Sequence, residues 1–126
     1  MTVPAPAQIE FLARAVGDDI ALTFIEQTAG QRLKVPYRAE GSRIELLYGE
    51  DIARALCKEY GGTEWHVPTC RDWRIRCYLA LGLSSNDIAA RAGVSNRAVF
   101  LSLKKPYNGQ KAIRPRLVDA RQPDLF

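Results

Sequence analysis

Apolar positions recur at helical spacing in two separated windows, Ile20, Phe24 and Ile25 in the first and Ile52, Leu56 and Cys57 in the second. Each window opens on acid residues, Asp18 and Asp19 or Glu50 and Asp51, where the helix dipole favours negative charge. Each closes on Ala29-Gly30 or Gly61-Gly62, read as a left-handed C-cap. Alternation then takes over in residues 31–35 and 63–67, which pairs Leu33 with Val35 and Trp65 with Val67 on one strand face. Pro36 and Pro68 lack the N–H that would extend a ladder. The two windows are related in sequence: Gly17-Asp18-Asp19-Ile20-Ala21 recurs 32 positions later as Gly49-Glu50-Asp51-Ile52-Ala53. At the same offset Phe24 matches Leu56, Gly30 matches Gly62, and Val35-Pro36 matches Val67-Pro68. The pattern predicts two helix-strand units, about 11–36 and 43–68, joined by a polar linker over 37–43. A single short strand is unstable alone, so the two strands are expected to pair antiparallel with both helices on one side.

From Arg71 onward the spacing is helical throughout. Residues 72–81 place Trp73, Cys77 and Leu81 on one face beside Ile75, Tyr78 and Leu79, and stop at Gly82. Ser84 or Ser85 caps a second helix through Ala92, Gly93 turns the chain, and Ser95 caps a third helix over 96–104. Val94 and Val99 are spaced as a hydrophobic staple. Small Ala89, the turn glycine Gly93, and Ile88, Val94 and Val99 as a wedge give this stretch the layout of a DNA-binding helix-turn-helix. The expected architecture is therefore mainly α with a small β element. A paired helix-strand module over 1–68 precedes a three-helix helix-turn-helix domain over 69–106, and a basic tail over 107–126 follows.

Charge locates the expected contact. Residues 1–68 hold seven Lys/Arg against ten Asp/Glu, and residues 69–126 hold eleven against four. Cationic surfaces gain affinity for phosphates by releasing condensed counterions, so nucleic acid is expected at the second half. If the third helix reads the major groove, Asn96 and Arg97 suit adenine and guanine edges, and Phe100 or Leu101 a thymine methyl. Lys104, Lys105, Arg71, Arg74 and Arg91 suit phosphates. Cys57, Cys70 and Cys77 form no C-x-x-C pair and His66 is the sole imidazole, so buried or half-buried reduced thiols are expected and no metal site. Cys70 and Cys77 are expected on one helix face. The carboxylates cluster at helix starts and His66 has no evident nucleophile partner, so no catalytic constellation or cofactor is expected. No apolar run spans a bilayer and no secretory signal is evident, which predicts a cytoplasmic protein.

The ordered set of Gly49-Glu50-Asp51-Ile52-Ala53, Tyr60-Gly61-Gly62-Thr63, a strand, Val67-Pro68, a basic helix and a helix-turn-helix resembles the Mor/C family, the middle-operon transcription activators of Mu-like phages. The resemblance covers roughly residues 44–105. It implies a homodimer joined through the helix-strand module, major-groove reading by Asn96 and Arg97, and contact with RNA polymerase. It also implies that the strand carrying Glu64, Trp65 and His66 approaches the minor groove. Two features depart from the family pattern. Trp65 and His66 are bulky for a narrow groove, and the chain holds two helix-strand units for one reading head. The first unit can therefore stand where a second subunit's module would, making an intramolecular pseudo-dimer.

The tail ends in Gln122-Pro123-Asp124-Leu125-Phe126, which resembles the short bacterial sliding-clamp-binding peptide. By that resemblance Gln122 anchors and Leu125 with Phe126 fills an apolar pocket. Two functions follow from different classes: a phage or prophage regulator that binds double-stranded DNA, or an interaction protein that docks on the replication clamp.

Overall fold

Gly17 and Gly49 carry φ,ψ of 89°,160° and 96°,164°, a conformation that is nearly exclusive to glycine. At each the chain leaves one short helix and starts a longer one. The computed structural model describes residues 3–107, and these fall into two compact units: Ala5–Cys70, and residues 71–107 together with residues 3–4. The protein is mainly helical with one two-stranded antiparallel sheet.

The first unit runs from a 3-10 turn (Ala7–Ile9) through α1 (Glu10–Val16), α2 (Asp18–Thr28) and β1 (Arg32–Lys34), then α3 (Arg43–Tyr48), α4 (Glu50–Tyr60) and β2 (Glu64–His66). Helices α1 and α3 were not expected, and the linker over 37–43 ends one residue earlier for that reason. The signal for α3 lies in its first turn. Ser42 Oγ accepts from Glu45 N at 3.1 Å, and Glu45 Oε1 accepts from Gly41 N at 3.1 Å, a near relative of the capping box. The expected left-handed C-caps are instead type II turns. Ala29 and Gly61 sit at −49°,130° and −49°,129°, and the positive φ falls on the next residue, Gly30 or Gly62. Gln31 N then donates to Thr28 O at 2.9 Å and Thr63 N to Tyr60 O at 3.0 Å, which turns each helix straight into its strand.

The strands pair Arg32 with His66, Leu33 with Trp65, and Lys34 with Glu64. Flanking bonds match under an offset of 32 positions with the strands exchanged. Gly30 N donates to Val67 O at 2.9 Å as Gly62 N donates to Val35 O at 2.8 Å, and Val67 N to Gln31 O as Val35 N to Thr63 O. A local two-fold axis thus passes through the Leu33–Trp65 pair. Ile9, Leu12, Ile25, Ile52 and Leu56 are buried beneath it together with Val35 and Val67. Each such side chain contributes roughly 1.5–3 kcal/mol relative to exposure.

The second unit consists of α5 (Arg71–Ala80), α6 (Ser85–Ala92) and α7 (Asn96–Lys104), which pack pairwise on one another. Its core is Trp73, Ile75, Cys77, Tyr78, Ile88, Val99 and Leu103, all 1 % exposed or less. Residues 3–4 belong here: Trp73 Nε1 donates to Val3 O at 3.4 Å and Tyr107 Oη to Pro4 O at 3.2 Å. Two expectations are corrected. Leu81 lies past the end of α5 and is 52 % exposed, so it forms no part of the apolar face. Cys70 precedes α5 with a φ of 47°, off the helix and half-buried, whereas Cys77 is buried within it. Cys57 is also half-buried, and burial pushes its thiol pKa up. Among the described residues no helix is long and apolar enough to cross a membrane, and no three His, Cys, Asp or Glu side chains gather as a metal site.

Candidate nucleic-acid interface

The turn between α6 and α7 is fixed at both ends by short-range bonds that its sequence dictates. Ser84, rather than Ser85, caps α6, its Oγ accepting from Asp87 N at 3.2 Å. At the far end Gly93 takes φ 70°, ψ 36°, and Val94 N reaches back to Ala89 O at 3.0 Å, a Schellman closure. Ser95 then caps α7 by accepting from Ala98 N at 3.1 Å. Ala89 and Ala92 are buried against this turn side of α6, and Val99 anchors α7 beneath it.

With Val99, Ser102 and Leu103 buried, the opposite face of α7 is left to solvent. Asn96, Arg97 and Lys104 are exposed there, Leu101 is 45 % exposed and Phe100 is half-buried. Arg97, Leu101 and Lys104 follow one another at helical spacing on a single face. Asn96 Nδ2 donates to Asn86 Oδ1 at 2.8 Å, which ties the first turns of α7 and α6 side by side. Asn86 had no place among the sequence candidates, because nothing in its local pattern forecasts a bond across ten positions. Lys105, Arg71 and Arg91 are exposed as well.

Two of the seven arginines and lysines in residues 71–107 turn inward. Arg74 was expected at a phosphate, but it is 7 % exposed. Its Nη2 donates to Arg91 O at 2.9 Å and its Nε to Tyr78 Oη at 3.2 Å, so it braces the C-terminal end of α6 instead. Arg76, 1 % exposed, donates from Nη2 to Leu103 O and Lys105 O, with the Tyr107 ring 5.5 Å from its Cζ. It caps the C-terminal carbonyls of α7. Burial lowers its pKa, and Asp72 and Tyr107 oppose that shift. Asp72 Oδ1 accepts from Ser102 Oγ at 2.6 Å, a second tie between α5 and α7. The exposed face of α7 is thus held from behind by bonds at both of its ends.

No family model, curated protein or solved structure matches this chain.

The strand candidates separate. Trp65 is 7 % exposed, its ring stacked on Tyr60 at 5.2 Å and edge-on to Phe11 at 5.7 Å, so it is a core residue with no groove-facing side. His66 is exposed, and cross-strand pairing puts it on one outward face with Arg32, Lys34 and Glu64. Arg32 and Lys34 had no place among the sequence candidates. Their alternation with Leu33 carried the signal. Gln122, Leu125 and Phe126 lie outside the described residues.

Proposed function

We propose that the protein is a sequence-specific DNA-binding transcriptional regulator of phage or prophage origin, similar to the Mor/C activators. In this reading α5, α6 and α7 form a helix-turn-helix, and α7 is the recognition helix. The observation that carries it is the exposed face of α7. An amide and a guanidinium stand at its N-terminal turn, two lysines at its end, and Val99, Ser102 and Leu103 behind them are buried. Asn96 and Arg97 read base edges, Leu101 and Phe100 offer apolar contact, and Lys104, Lys105, Arg71 and Arg91 meet phosphates. Arg74 and Trp65 are withdrawn from the contact set because both are buried.

The local two-fold axis favours reading residues 5–70 as a duplicated helix-strand unit that pairs within one chain. Each chain then brings one reading head, and RNA polymerase is the protein partner that the family resemblance implies. Arg32 and Lys34, beside His66 and Glu64 on the outward sheet face, provide a second pair of cations for the phosphate backbone. Docking on the sliding clamp through Gln122, Leu125 and Phe126 is the alternative, and it rests on the sequence alone.

Binding to duplex DNA as a function of salt tests the reading. Affinity should fall linearly on logarithmic axes, and Lys104→Ala should reduce the slope by about one. Binding that ignores salt, or a slope that Lys104→Ala leaves unchanged, would refute the assignment of this face.

A further inference from the structure

The two halves of the first unit differ where their shared pattern leaves them free to differ. Position by position at the 32-residue offset, α1 carries Arg14 and Ala15 where α3 carries Leu46 and Leu47. Arg14 pairs with Glu10 in solvent, while Leu46 is 85 % and Leu47 56 % exposed. Helix α1 packs on both α2 and α4, whereas α3 packs on α4 and meets α2 through the Phe24–Tyr48 edge contact at 5.0 Å. Ile52 is accordingly 2 % exposed and its counterpart Ile20 is 52 % exposed. The fold does not require leucines at 46 and 47, since its other half is built without them. A contiguous apolar strip kept in solvent marks an interaction surface.

Charge along the strip identifies the occupant. A cleft of about 290 Å³ between α2 and α3 is lined by Ile20, Phe24, Leu47 and Tyr48, with Asp19 on its rim. Leu47 and Tyr48 also line a second cleft of about 620 Å³, toward the sheet, whose charged residues are Arg32, Lys34 and Arg43 against the single carboxylate Glu64, a net basic lining. The shared apolar residues therefore lie between an acidic end and a basic end. Turned about a two-fold axis, such a strip is its own complement: the acidic end of one copy meets the basic end of the other. We infer that a second copy of this chain docks here, α3 against α3, in an isologous pair. The pairing joins two chains and so supplies a second reading head, a geometry separate from the strand pairing inside each chain.

Sedimentation velocity of the full chain without DNA, over a concentration series, is the test. Wild type should shift from monomer to dimer within the series. Replacing Leu46→Arg with Leu47→Ala installs the residues that α1 carries at these positions, so the variant is expected to fold, checked by circular dichroism. Its association should weaken by about tenfold or more. Asp19→Arg and Arg43→Glu should each weaken association alone and restore it when combined. A wild type that stays monomeric throughout would overturn the proposal, as would a leucine variant that pairs as wild type does. A double charge reversal that fails to recover would overturn the two-fold arrangement. None of these outcomes depends on DNA, so failure here leaves the proposed DNA binding standing.

Discussion

Arg74 and Arg97 have the same side chain on neighbouring helices and opposite roles. Arg74 gives its guanidinium to a backbone carbonyl and a phenol inside the second unit, and Arg97 is exposed on α7. Arg74→Ala leaves the Arg91 carbonyl without its partner and should cost about 1–3 kcal/mol in denaturant unfolding. Arg97→Ala should stay within about 0.5 kcal/mol of wild type in the same measurement, as surface changes do. The serine caps are another contrast with measurable size. Ser84→Ala and Ser95→Ala each remove an acceptor for a first-turn N–H, and each should lower stability by about 1 kcal/mol. At Gly17 and Gly49 a Cβ would meet nothing within 4 Å, so the cost of alanine there is conformational. It should be about 1–3 kcal/mol at either site, and similar at the two.

Among the elements, the helices with both an apolar period and a terminal signal were legible: α2, α4, α5, α6 and α7 all follow from spacing, caps and glycines. Helices α1 and α3 were missed because each is under two turns and ends at a glycine that the pattern assigned to the following helix. Yet Ser42 and Glu45 held the start of α3 in plain view. The strand alternation correctly put Leu33 with Val35 and Trp65 with Val67, and that same alternation turned Trp65 inward, against the groove-facing place that the family resemblance implied. Burial of arginine was not legible. Nothing in the spacing of α5 distinguishes Arg71, which is exposed, from Arg74 and Arg76, which are buried by helices that arrive later in the chain. The Leu33–Trp65 pair at the local axis makes Trp65 the most costly position to empty in the sheet. Trp65→Ala should destabilise the first unit by about 3–5 kcal/mol, read from its unfolding transition.

For the whole molecule, the balance of charge and the exposed face of α7 point the same way. Cations are in excess where the candidate contact lies. Phosphate attraction alone would make a protein that holds any duplex; a regulator must also choose. That choice is assigned to Asn96 and Arg97, at the turn of α7 that Ser95 fixes. The measurement that bears most directly on this claim is selection of bound duplexes from a random-sequence pool, run with wild type beside Arg97→Ala. Wild type should enrich a common motif, and Arg97→Ala should relax preference at one or two adjacent positions, by about 1–3 kcal/mol of discrimination, while leaving the rest of the motif. A wild-type pool that stays random, or an unchanged motif in Arg97→Ala, would contradict it.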